Sequence, residues 1–198
     1  ENDEVVQDLE IEIKSDSRDD PETIKINQED GSYAAVINVE KGEDVVVMMK
    51  KDGYAFNAQL LTTKDELKKP DVIELTTQVQ KIEANKPFLI RDINYRTSSS
   101  DIDDESKTIL KLFAIYLKEN PSLKIEIRGH TDDVGNLTDN LALSTDRAFE
   151  VLGYLQEHGI ESGRLNYKGF GPNKPLASNE TSEGRLKNRR TEFVVTKM

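Results

Sequence analysis

Hydrophobic and polar residues alternate in two rhythms along this chain, and the change comes near Pro87. Before it the period is two. Leu9-Glu10-Ile11-Glu12-Ile13 puts apolar side chains on one face and carboxylates on the other, as a half-buried strand requires. Ala34-Ala35-Val36-Ile37-Asn38-Val39 and Val45-Val46-Val47-Met48-Met49 are further β-prone runs, parted by the turn signal Glu40-Lys41-Gly42-Glu43. Asp30-Gly31 and Asp52-Gly53 are turn dipeptides. Residues 1–63 are therefore expected to fold as a small antiparallel β-sandwich. Residues 64–86 read as a linker, with a polar Lys64–Pro70 piece and two short extended segments, Val72–Leu75 and Val79–Ile82.

After Pro87 a helical period enters. Phe88–Tyr95 is expected as a strand, and Asp103 or Asp104 as the cap of a helix that Pro121 stops. Ile109, Leu112, Phe113 and Tyr116 form that helix's apolar stripe. Leu123-Lys124-Ile125-Glu126-Ile127 alternates cleanly as a strand. A second helix is expected from about Asp139 to His158, burying Leu141, Ala148, Leu152 and Leu155, with Gly159 as its stop. Arg164–Phe170 and Arg190–Val195 supply two more strands. The order β-α-β-α-β-loop-β over residues 87–198 implies helices layered on one mixed sheet, and the whole chain reads as α+β.

Charge sharpens this division. The 198 residues carry a net charge of −11. Residues 1–86 hold 21 acidic against 11 basic side chains, whereas 87–198 hold 17 against 16. A strongly acidic first module is a poor nucleic-acid ligand. No apolar stretch reaches the roughly 18 residues of a membrane span. Cysteine is absent, which removes disulfides, thiolate metal sites and a cysteine nucleophile. The chain begins at Glu1 without an N-terminal signal and reads as a mature or excised fragment.

Candidate chemistry concentrates after the second expected strand of the C-terminal part. Ile127-Arg128-Gly129-His130-Thr131-Asp132-Asp133-Val134-Gly135 runs from strand into an acidic, glycine-bracketed loop. Asn140, Ser144 and Arg147 then follow at i, i+4 and i+7 of the next helix, one stripe expected opposite the Leu141/Ala148/Leu152/Leu155 core. Asp132 and Arg147 could hold an amino-acid zwitterion, the carboxylate facing an ammonium and the guanidinium forking onto a carboxylate. Blander readings compete: Asp132 as a turn-capping acid, and Arg147 as a solvent-facing arginine paired with Glu150 or Glu157. The shared stripe favours a site. Asn188-Arg189-Arg190 before the last strand reads as mainly structural, with Arg190 paired to an acid and Arg189 lending positive potential at the pocket mouth.

Catalysis and metal binding find little footing. The chain has no Gly-x-Ser-x-Gly elbow, Walker loop, His-Glu-x-x-His or dinucleotide fingerprint. Asp132, Asp133 and Asp139 lack EF-hand spacing, and His130 and His158 are the chain's two histidines, too few for zinc. No enzyme activity, cofactor or metal is expected.

The ordered series Gly129-His130-Thr131-Asp132, Gly135, Asn140, Leu143-Ser144, Arg147-Ala148, Tyr154-Leu155, Gly159-Ile160, Gly169-Phe170-Gly171, Pro175, Asn179 and Asn188-Arg189-Arg190 resembles the OmpA-like peptidoglycan-binding domain. That resemblance covers residues 87–198 and implies an OmpA-like α/β sandwich. It implies that Asp132 and Arg147 clasp diaminopimelate in the peptide stem of the cell wall, with Thr131 and Asn140 at the rim. Where many members read Phe-Asp-Phe plus a small residue, this chain has Asp92-Ile93-Asn94-Tyr95-Arg96, so Asn94, with Arg189, is a secondary candidate. The family further implies a periplasmic, outer-membrane-associated setting, and a periplasmic protein partner is the alternative ligand of the acidic module. In the first module, Gly31-Ser32-Tyr33, Gly42, Val45–Met49 and Gly53-Tyr54 look like the carboxypeptidase regulatory-like (transthyretin-like) sandwich, with its first strand missing.

Overall fold

A computed structural model of the chain describes residues 6–15, 22–27, 29–35, 43–62, 78–91, 93–95 and 99–198. Contacts divide it into two units, Glu1–Ile82 and Glu83–Met198.

The first unit carries strands β1 (Glu10–Ser15), β2 (Glu22–Lys25), β3 (Asp44–Lys50) and β4 (Asn57–Thr62) in one antiparallel sheet ordered β2-β1-β3-β4. The alternation in β1 works as its sequence dictates. Ile11 and Ile13 turn inward onto Val45, Val47 and Met49, while Glu12 meets Lys50 at 2.9 Å. Val46 and Met48 point the other way and are buried too, so the central strand is covered on both faces. That double burial suits a sandwich, and it explains why β3 is an unbroken apolar run rather than an alternating one. Gly31 and Gly53 stand at φ of 73° and 77°, the left-handed region their turns require. Segments 36–42, 63–77 and 96–98, with Asp92, lie outside the described residues. The Val36–Val39 strand, Gly42, the Lys64–Pro70 piece and Val72–Leu75 fall there. Val79–Ile82, expected within the linker, instead pairs into the first unit. Lys81 bridges Tyr54, and Ala55 N donates to the Gln80 carbonyl at 2.8 Å.

The second unit runs β5 (Pro87–Ile90), α1 (Asp104–Glu119), β6 (Lys124–His130), α2 (Leu137–Glu157), a 3-10 turn at Ser162–Arg164, β7 (Leu165–Gly169), α3 (Ser182–Asn188) and β8 (Arg190–Lys197). Its sheet is ordered β5-β8-β6-β7, with β6 and β7 parallel and the other pairs antiparallel. Asp103 caps α1 by accepting from Ser106 N at 2.8 Å, and Asn136 caps α2 by accepting from Thr138 N at 2.7 Å. Phe88, Phe113 and Phe193 knit α1 to the sheet, with ring centroids 5.3 Å and 4.9 Å from Phe193. Burying three such rings adds a large apolar contribution to this core.

Two expectations are corrected. The first strand stops at Ile90, and Tyr95 joins the fold through an isolated bridge to Ile102. Where a loop was expected before the last strand, seven residues form α3, capped by Thr181 accepting from Gly184 N at 3.0 Å.

Candidate functional site

Strand β6 delivers the acidic loop, and two glycines let helix α2 settle on the strand's end. Gly129 of β6 and Gly169 of β7 are direct neighbours in register. A Cβ at Gly129 would overlap the Ser144 carbonyl, and one at Gly169 would overlap the Thr145 backbone and hydroxyl. Only glycine permits so close an approach. Ser144, fully buried, accepts from Gly171 N at 2.8 Å, and Gly171's carbonyl in turn accepts from Thr131 N at 3.0 Å. The loop holding Asp132 is thus fastened to the helix holding Arg147.

The stripe of Asn140, Ser144 and Arg147 lies elsewhere than expected. All three are buried, in line with Val151, beside the apolar face rather than opposite it. A 100° step per residue places the polar stripe about 80° from the apolar one, and both face inward. Arg147 is therefore no solvent-facing arginine. Its Nε donates to the Ser99 carbonyl at 3.0 Å, and its guanidinium lies 4.5 Å from the centre of the Tyr95 ring. Among the described residues, its two Nη nitrogens donate to no group. Burial draws the Arg147 pKa down, opposed by Tyr95; Arg189 lowers it further and Asp132 raises it. Both of the latter are thus close enough to be felt.

Asp132 is 8% exposed, and each of its carboxylate oxygens has a protein partner. Oδ1 caps the turn by accepting from Val134 N at 3.1 Å, while Oδ2 accepts from Arg189 Nη1 at 2.6 Å. Arg189 was expected only to lend potential at the mouth. It is instead the direct partner of Asp132, because His130 sits opposite Arg190 in the β6–β8 register and carries the residues beyond it alongside Arg189. Arg189 thus pairs with Asp132 directly, while Arg147 stands near enough to sense both charges.

The remaining candidates divide. Asn140 donates through Nδ2 to the Val134 carbonyl at 2.9 Å and so shapes the loop. The Thr131 hydroxyl is buried with no hydrogen-bond partner among the described residues, an unsatisfied group beside the acid. Asn94 is exposed, and its backbone N donates to the Ser106 hydroxyl at 2.7 Å, so it fixes the segment to α1. Asn188 and Arg190 are structural. Asn188 Oδ1 accepts from Leu176 N and Ala177 N at 2.7 Å and 3.0 Å, and Arg190 pairs with Glu192 at 2.7 Å. Glu192 also faces His130 at 3.2 Å. Burial alone would push the Glu192 carboxyl up, but His130 and Arg190 outweigh it and hold its pKa below the usual value. Tyr95 and Ser99 were not foreseen as partners of Arg147. No spacing rule connects them to a helix some 50 residues away in sequence.

Residues 94–189 match the OmpA family. Outer membrane porin F of Pseudomonas aeruginosa is 39% identical over 105 residues, spanning 52% of this chain and 30% of the porin. Peptidoglycan-binding protein ArfA of Mycobacterium tuberculosis is 42% identical over 87 residues, 44% of this chain and 27% of ArfA. The chain thus spans less than a third of either curated relative. Among solved structures, a putative MotB like protein from Desulfovibrio vulgaris superposes with a TM-score of 0.50 at 29% identity, covering 55% of this chain and 70% of that one. The matched stretch includes β6, the acidic loop, α2 and Arg189, which carry the candidate residues, and over residues 94–189 this chain holds an OmpA family domain.

Proposed function

We propose that the second unit binds peptidoglycan non-covalently, gripping the diaminopimelate of the peptide stem, and so holds its parent protein to the cell wall in the periplasm. The observation that supports this most is the pocket of Asp132, Arg147 and Arg189. It is a buried carboxylate flanked by two guanidiniums, one of which keeps its Nη edge unused by described residues. Such a set matches a zwitterion better than a simple anion or cation. Asp132 Oδ2 receives the ligand ammonium on its second lone pair, since a carboxylate oxygen accepts more than one donor. Arg147 forks onto the ligand carboxylate. The unsatisfied Thr131 hydroxyl and the Asn140-braced loop complete the polar wall. The relative named as a peptidoglycan-binding protein supports the ligand class.

Calorimetric titration with a diaminopimelate-containing muropeptide tests this. Asp132→Ala and Arg147→Ala should each weaken binding about a hundredfold, because removing one partner strands a desolvated charge at a cost of roughly 2–5 kcal/mol. Binding of either variant at wild-type strength would end the clasp model.

A further inference from the structure

Tyr95 lies in the segment where this chain departs from its family's usual reading, and it is tied down from three sides. Its hydroxyl shares a 2.8 Å hydrogen bond with Thr191 Oγ1, on the fully formed strand β8. Its backbone bridges Ile102 at the entry to α1. Its ring face carries the Arg147 guanidinium at 4.5 Å. The Ser99 carbonyl takes Arg147 Nε from the same segment. A flexible arginine is thus held on one face and at one nitrogen before any ligand arrives. Such preorganisation lowers the ordering cost of binding.

We infer that Tyr95 is a positioning residue for Arg147: its ring, with the Ser99 carbonyl, sets the guanidinium plane so that the Nη edge meets the ligand carboxylate. This rests on the cell-wall reading given above. The phenol stays neutral throughout, since burial pushes its pKa up to about 12. The contact is therefore between cation and ring face, not between two ions.

Two variants separate positioning from core filling. Tyr95→Phe keeps the ring face and loses the hydroxyl; Tyr95→Leu keeps apolar bulk and loses the ring. Titrations use a muropeptide with free diaminopimelate carboxylates and one whose carboxylate is amidated. Tyr95→Phe should bind the free-carboxylate stem within about twofold of wild type, and Tyr95→Leu about tenfold more weakly. The Tyr95→Leu penalty should vanish on the amidated stem and in an Arg147→Ala background. A penalty of equal size in either control, or a folded Tyr95→Leu that binds the free-carboxylate stem like wild type, overturns the inference. A ligand-independent readout is the ring-current shift of the Arg147 Nε–H resonance, expected in wild type and Tyr95→Phe and lost in Tyr95→Leu. If wild type binds neither stem, the cell-wall reading fails, and with it the ligand half of this inference. The resonance then decides the positioning half on its own, and an unshifted wild-type signal overturns it.

Discussion

Glu192 shows how one buried acid can stabilise a strand end. It accepts from Arg190 at 2.7 Å and faces His130, whose ring stacks on Phe170 at 5.2 Å. Its folded pKa lies below the ordinary value of 4.5, so the ionised form is the one folding favours. The stabilisation is full above about pH 4.5 and is lost as pH falls through the lowered folded value. Thermal melts should accordingly drop in Tm with acidification below that pH, and Glu192→Gln should flatten the acid limb while lowering Tm at pH 7. At this scale the sequence was partly legible. The motif marked Asp132, Arg147 and Thr131 as candidates, which the proposed titrations test, and Arg190 pairs with an acid as expected. The Arg189–Asp132 pair was hidden because it depends on the register between β6 and β8, and no local spacing encodes a register across 57 residues.

Elements were easier to foresee than their faces. Capping acids, Pro121 and Gly159 marked helix ends to within a residue or two, since those signals are local. Helix α3 escaped because it has no inward apolar stripe; Leu186 is its one large apolar residue and is 62% exposed. Its signals are the Thr181 cap and the Glu183–Lys187 pair at i, i+4. The side on which α2 presents Asn140, Ser144 and Arg147 was misjudged for a different reason. Polar residues are ordinarily placed toward solvent, yet here the helix lies so close to the sheet that small and polar groups line the contact. Gly129 and Gly169 set that distance. Gly129→Ala or Gly169→Ala should destabilise the second unit by about 2–3 kcal/mol or more, because the obstructing atoms include backbone that cannot swing aside. Chemical denaturation would read this as a lowered midpoint with an unchanged slope. A midpoint equal to wild type would mean that α2 can ride outward at little cost.

On the scale of the whole molecule, each unit has its own sheet and its own apolar core, one centred on Ile11, Val45 and Val47 and the other on Phe113, Phe193 and Leu117. Residues 83–198 expressed alone should therefore melt in one cooperative transition and bind muropeptide as the full chain does. Loss of either property would show that the first unit supplies something the second lacks. The two units also differ in charge along the sequence, and Val79–Ile82 belongs with the first through its pairing with Tyr54 and Ala55.

The 2.6 Å contact between Asp132 and Arg189 bears on how the proposed clasp would meet a zwitterion. Under the proposed clasp, an arriving ammonium would share Asp132 with a cation already in place instead of filling a bare negative hole. A zwitterionic group would add one charge of each sign and leave the net charge around Asp132, Arg147 and Arg189 unchanged. Added salt loosens the resident pair and the incoming one alike, so the affinity should respond weakly to ionic strength.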